Sequence, residues 1–184
     1  MKKLIILVAL VSISAISFGQ VEYKEVVFEN NAFSHVFETT VGVSDQYRNA
    51  KQWIAKTFGS YKEVVQLEDE EGHKIILKGK MALPNESSVP STGCILTDEI
   101  TASFTMTIDF KEGRYRVKIE DVRIGIIAKL SCFMADDKTE RYNMTLDDYL
   151  NWKKRENTSD TFLRIKTKDL LNSLNKDINT VDDF

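Results

Sequence analysis

Cysteine, proline and histidine are each present only twice in 184 residues, and glycine eight times. So few histidines, 38 positions apart at His35 and His73, give no metal-ligand spacing. No glycine-rich phosphate loop and no nucleophile elbow occurs, which removes the commonest nucleotide and acyl-transfer signatures. Cations are not in surplus either. Lys and Arg total 25 against 28 Asp and Glu, a net charge of −3. Loss of Lys2 and Lys3 with an N-terminal leader would take it to −5. A chain this acidic overall has no excess charge for phosphates, so nucleic acid is not expected as a partner.

What is present starts at the N-terminus. Met1-Lys2-Lys3 is followed by the apolar run Leu4 to Phe18, with Ser17 and Gly19 placed for cleavage before Gln20. The run falls short of the roughly 20 residues of a spanning helix. Residues 1–19 therefore read as a signal peptide and 20–184 as one exported domain, periplasmic or at the outer surface, with no transmembrane segment after cleavage. Export makes a disulfide between Cys94 and Cys132 chemically accessible.

The strongest pattern is central. Ile100, Ala102, Phe104, Met106, Ile108 and Phe110 alternate with Thr101, Ser103, Thr105, Thr107 and Asp109. A period of two marks a strand with one buried and one wet face. Gly113 lies in the following turn, and Tyr115, Val117 and Ile119 resume the alternation. Facing residues must match, so Phe110 should pair with Tyr115, Ile108 with Val117 and Met106 with Ile119. The phase then moves to Val122, Ile124 and Ile126, which predicts a bulge at Glu120-Asp121. Carried outward, the same register sets Cys94 opposite Cys132.

Around this hairpin the chain reads in order. Val21 to Asn31 is an extended lead-in, and Phe33 to Val43 a first strand with His35 in its apolar phase. A helix capped by Ser44 follows, with Tyr47, Ala50, Trp53, Ile54 and Phe58 on its apolar stripe and Gly59 closing it. Val64 to Glu68 and Lys74 to Lys80 form a hairpin over a three-residue loop ending in Gly72, pairing Leu67 with Ile75 and Val65 with Leu77. The carboxylates at 68–71 beside His73 lack the spacing of a calcium loop. Leu83 to Asp98 holds both prolines and reads as a long loop; Phe133 to Met144 reads as irregular. Thr145 and Asp148 form a capping box for a short helix, and Leu163, Leu170, Leu171, Leu174 and Ile178 stripe a final one. A helical extension thus runs from about residue 137.

The exported start, the helix around Lys51-Gln52-Trp53-Ile54, the stretch Glu68 to Gly79 and Gly113-Arg114-Tyr115-Arg116 together resemble an exported bacterial family of unknown function described as having a TBP-like (TATA-binding-protein-like) fold. The resemblance covers about Phe33 to Ile127. It implies an α+β domain in the order β-α-β-β-β-β-α, an antiparallel sheet of about five strands with helices on one face. It implies no activity and supplies no catalytic residues.

Three functions fit unequally. A non-catalytic binding or interaction module would use the wet sheet face at Thr101, Ser103, Thr105 and Thr107, or the 83–98 loop. A carrier of a small apolar ligand would hold it between sheet and helix, lined by Trp53, Phe58, Phe104, Met106 and Phe110. A hydrolase would need paired carboxylates such as Glu120 and Asp121 or Asp147 and Asp148. Neighbours on a strand point to opposite faces, and the second pair suits a helix cap. The reading reached is an exported non-enzymatic binding module without cofactor or metal, its partner a protein or small molecule.

Overall fold

One long antiparallel ladder carries the fold. The computed structural model describes residues 19–84, 94–132, 135–152 and 158–180; residues 94–98, 130–132, 135–137, 152 and 158–160 are described in backbone only. The elements are β1 (Phe33–Glu38), α1 (Val43–Phe58), α2 (Tyr61–Val64), β2 (Val65–Asp69), β3 (Lys74–Leu83), β4 (Cys94–Lys111), β5 (Arg114–Cys132), β6 (Ala135–Thr145), α3 (Leu146–Trp152) and α4 (Thr158–Ile178). The sheet is ordered β1-β5-β4-β3-β2, and β6 pairs with β5 beyond β1. This is an α+β architecture with six strands.

The expected register of the central hairpin holds. Phe110 pairs with Tyr115, Ile108 with Val117 and Met106 with Ile119. The turn is closed by Lys111 and Arg114, with Gly113 at φ 74°. The bulge falls where the phase change puts it. Ser103 pairs with Arg123 and Thr105 with Glu120, so Asp121 and Val122 together face Phe104. Asp121 takes the left-handed conformation that absorbs the extra residue, φ 53°. Beyond it Ala102 meets Ile124, Ile100 meets Ile126 and Cys94 meets Cys132.

The ladder buries one face. Ile75, Leu77, Met106, Ile108, Val117 and Ile124 are fully buried against Ala50, Trp53 and Ile54 of α1 and Leu171 and Leu174 of α4. Each such side chain contributes about 1.5–3 kcal/mol, against roughly 0–1 for a surface ion pair, so the apolar phase decides which face turns inward.

Four expectations are corrected. The helical extension expected from about residue 137 begins at Leu146, and the segment 135–145 is a strand, not irregular. Its sequence, rich in charge, carries almost no alternating apolar signal, because backbone pairing to β5 rather than side-chain burial holds it. β4 begins at Cys94, so the connection after Leu83 is shorter than the expected 83–98 loop; 85–93 lie outside the described residues. β1 ends at Glu38, and α1 begins at Val43 over an N-cap at Gly42, not Ser44; the Gly42 carbonyl accepts from the amides of Asp45 and Gln46. In the β2–β3 hairpin Asp69 pairs with Lys74 and Leu67 with Ile76, a loop of even length. Asp69 Oδ1 accepts the Gly72 amide at 2.8 Å, and His73, not Gly72, takes positive φ. A register shift between Val65 and Leu67 restores the expected Val65–Leu77 pair.

Other local signals hold. Gly59 closes α1 at φ 76°. Thr145 Oγ1 accepts the Asp148 amide at 3.1 Å and lies 2.7 Å from its carboxylate, the capping box that opens α3. The lead-in is docked rather than merely extended. Val21 and Val26 are buried, and Asn172 of α4 both accepts the Val21 amide at 2.9 Å and donates to its carbonyl at 3.1 Å.

Candidate binding face

The sheet has two faces, and the helices take one. The expected carrier residues all lie on the covered side. Trp53, Phe104, Met106 and Phe110 are buried and Phe58 is half-buried. The Trp53 ring stands edge-on to Phe58 at 5.8 Å and Phe110 edge-on to Tyr47 at 5.6 Å. Trp53 Nε1 donates to Ser173 Oγ at 3.0 Å. Phe104 packs over Gly79, where a side chain would collide with its ring. These five are thus brought together as part of the core.

The carboxylate pairs are separated by their local roles. Glu120 is ion-paired to Lys118 while Asp121 sits at the bulge, and Asp148 is taken up in its cap beside Asp147. Among the described residues no group of three or more His, Cys, Asp or Glu is placed to hold a metal ion. His35 lies parallel to Phe33 at 6.4 Å and edge-on to Phe37 at 4.6 Å, and burial lowers its pKa.

The uncovered face is different in kind. Period-two alternation puts Thr101, Ser103, Thr105 and Thr107 outward on β4, a ladder of hydroxyls. Sequence reasoning found that ladder but missed its flanks. On β3 the same alternation turns Lys74, Lys78 and Lys80 outward; on β5 it turns out Arg116, Lys118 and Arg123. The signal lay in the spacing Lys74-x-x-x-Lys78-x-Lys80 and Arg114-x-Arg116-x-Lys118, which apolar periodicity alone overlooks. The pairing aligns Lys80, Ser103 and Arg123 across three strands. Four carboxylates, Glu99, Asp109, Glu120 and Asp121, stand among these six cations, so the cations are in excess on this face although the chain as a whole is acidic.

Charge is balanced at one end of the face and not at the other. Asp109 is gripped by Arg116 at 2.7 Å and Lys74 at 3.3 Å. Burial alone would raise its pKa, but these donors overcome that and hold the carboxyl below its ordinary range. Lys118 pairs with Glu120. Lys78, Lys80 and Arg123 are exposed and make no salt bridge among the described residues, although the Lys80 charge acts on Glu99, itself bound by Lys129 at 2.8 Å. Lys78 and Arg123 edge a shallow cavity of about 300 Å³ over the bulge, lined also by Gly79, Ser103, Phe104, Thr105 and Asp121. A second, of about 230 Å³, lies by Val36, Asp109 and Arg116.

A further polar cluster joins α1 to β2. Lys51 pairs with Glu68 and lies over the rings of Tyr47 at 5.6 Å and Tyr61 at 5.7 Å. The Lys51 hydrogen bond holds the Glu68 carboxyl below its usual value, while burial and then the Glu68 charge push Tyr47 up to about 12. This arrangement is a structural joint. The described helices include none long and apolar enough to cross a membrane.

Comparisons with known proteins agree with this architecture. Residues 36–124 match the family described as "Domain of unknown function (DUF4468) with TBP-like fold". Two crystal structures are similar. One, a TBP-like protein from Parabacteroides distasonis, shares 12% identity at a TM-score of 0.58, covering 85% of this chain and 99% of that one. The other, a DUF4468 family protein from Bacteroides ovatus, shares 14% at 0.52, covering 87% and 94%. At these identities the likeness shows the fold alone. Comparison with curated proteins finds no match.

Proposed function

For a chain whose residues 36–124 match a family of unknown function, we propose an exported, non-catalytic binding module whose open sheet face is its contact surface. The observation that supports this is a strand-built face free of the described helices, on which Lys78, Lys80 and Arg123 make no salt bridge among the described residues. Side chains on a regular ladder are held more precisely than those on loops. Export is supported by the leader at 1–19. The adjacent carboxylates have structural roles, which favours binding over hydrolysis.

A site-specific photo-crosslinker tests the reading in the cells that produce the protein. One variant carries it at Thr105 on the open face, another at exposed Gln52 on α1. The expected result is an adduct from Thr105 well in excess of that from Gln52. Equal yields, or adducts from Gln52 alone, would overturn the assignment of the face.

A further inference from the structure

The open face has a linear design. Its hydroxyl ladder on β4 runs between two cationic rails, β3 on one side and β5 on the other. Neighbouring strands lie about 4.8 Å apart, so the rails stand roughly 10 Å from each other. Successive outward residues repeat at roughly 7 Å along each strand. A polymer lying along β4 would thus meet donors and acceptors beneath it and cations on both sides.

From this we propose that the face binds a linear acidic polysaccharide, with its carboxylate or sulfate groups between Lys78, Lys80 and Arg123 and its hydroxyls on Ser103 and Thr105. The proposal rests on the open face being the contact surface and adds the class of ligand. Charge complementarity supports it, because the cations gather on this face of an otherwise acidic chain. The alternatives lack their anchors. Single-stranded nucleic acid is held by stacking on aromatic rings, and the outward positions of the described central strands carry none. Peripheral membrane binding needs a row of apolar side chains for insertion. Here the strongly exposed large hydrophobic residues of the described face, Val36 on β1 and Leu67 on β2, stand at opposite edges of the sheet and form no such row. Hydroxyls between cations match a sugar acid, which presents both groups together.

Biolayer interferometry on the purified protein gives the test, with polygalacturonate as the acidic probe and its fully methyl-esterified form as the neutral control. Anionic phosphatidylglycerol vesicles and oligothymidylate serve as competing classes. The expected result is binding to polygalacturonate alone, weakening with salt. The triple variant K78E/K80E/R123E should weaken it roughly tenfold or more, while K62E on α2 leaves it unchanged. The neutral variant K78Q/K80Q, with its melting curve checked, should give a smaller loss in the same direction. No binding to polygalacturonate, equal loss in K62E, or tighter binding to vesicles or oligonucleotide would overturn the proposal. If polygalacturonate fails while the Thr105 crosslink persists, the ligand class is wrong and the contact surface stands. If both fail, both readings fall.

Discussion

The phenol of Tyr115 donates a 2.7 Å hydrogen bond to Oδ1 of Asn175, joining the start of β5 to the last turns of α4 through the core. Asn175 also donates to the Gly19 carbonyl at 3.2 Å and accepts from Asn179 Nδ2 at 2.8 Å. Asn179 in turn accepts from Thr39 Oγ1 at 2.5 Å. With Asn172 holding Val21, two asparagines of α4 and Asn179 just past its end tie together the lead-in, the residue after β1 and β5.

Removing either member of the central pair should be unequal in cost. Tyr115→Phe leaves Asn175 still accepting from Asn179, and should destabilise by about 1 kcal/mol. Asn175→Ala strands a buried phenol, and should cost about 1–3 kcal/mol more. Urea unfolding of both variants checks the order; a reversed order would show that Asn175 does not carry the joint.

Gly79 has no room to grow. Ala at this position would drive its methyl into the rings of Phe104 and Phe58, costing about 1–3 kcal/mol. Phe104→Leu should recover part of that loss in the double variant, measured as a thermal double-mutant cycle. Additive losses would place the strain elsewhere.

Asp121 tests the bulge. At φ 53° glycine is at ease, so Asp121→Gly should change stability little or raise it by about 0.5 kcal/mol. Asp121→Val forces a β-branched residue into the left-handed region and should destabilise by about 1–2 kcal/mol. Melting temperatures of the two variants should move apart by several degrees.

Acid stability should depend on Glu68. Its folded pKa lies below the ordinary 4.5, chiefly through Lys51, so the unfolded chain takes up its proton first as pH falls. The stabilisation is complete above the ordinary value and is lost as pH drops through the folded one. Glu68→Gln should therefore show a flatter loss of stability below pH 4.5 than the parent. Parallel curves would remove Glu68 from the joint. Tyr47 gives the opposite edge: its raised pKa means stability declines as pH climbs from the ordinary 10 toward about 12.

Cys94 and Cys132 occupy opposing positions in the β4–β5 ladder. Directly opposed residues in an antiparallel pair sit within the Cα span a disulfide needs. In an oxidising compartment, oxidation by a disulfide-donating thiol oxidase, which takes up the two electrons and two protons, should lower the mass by two hydrogens relative to the reduced chain. Cys94→Ser should lower stability by about 3–5 kcal/mol under oxidising conditions. Two free thiols in protein recovered from such a compartment would show that the ladder is not stapled there.

Much of this architecture was legible because apolar side chains repeat where burial demands it. The phase change from Ile119 to Val122 marks the bulge in the sequence itself, and parity alone sets Phe110 against Tyr115. Segments held by other means were not. β6 is fixed by backbone pairing along β5, so its charged sequence gave no periodic signal. The β2–β3 turn depends on one Asp69 side chain capturing an amide, which moved the left-handed residue from Gly72 to His73. The cationic rails were visible as alternation, but their meaning needed β3 and β5 placed on either side of β4. The asparagines of α4 share the apolar stripe and declare nothing until their partners, residues from near the start of the chain, are in view.

That last contact has a consequence in time. Val21 closes on Asn172, and β1 closes on β5. A chain emerging N-terminus first, from a ribosome or through a secretion channel, must keep β1 waiting until the start of β5 has followed and Val21 until nearly everything else has. The polypeptide therefore stays pliable throughout its passage and locks only when its final helix arrives.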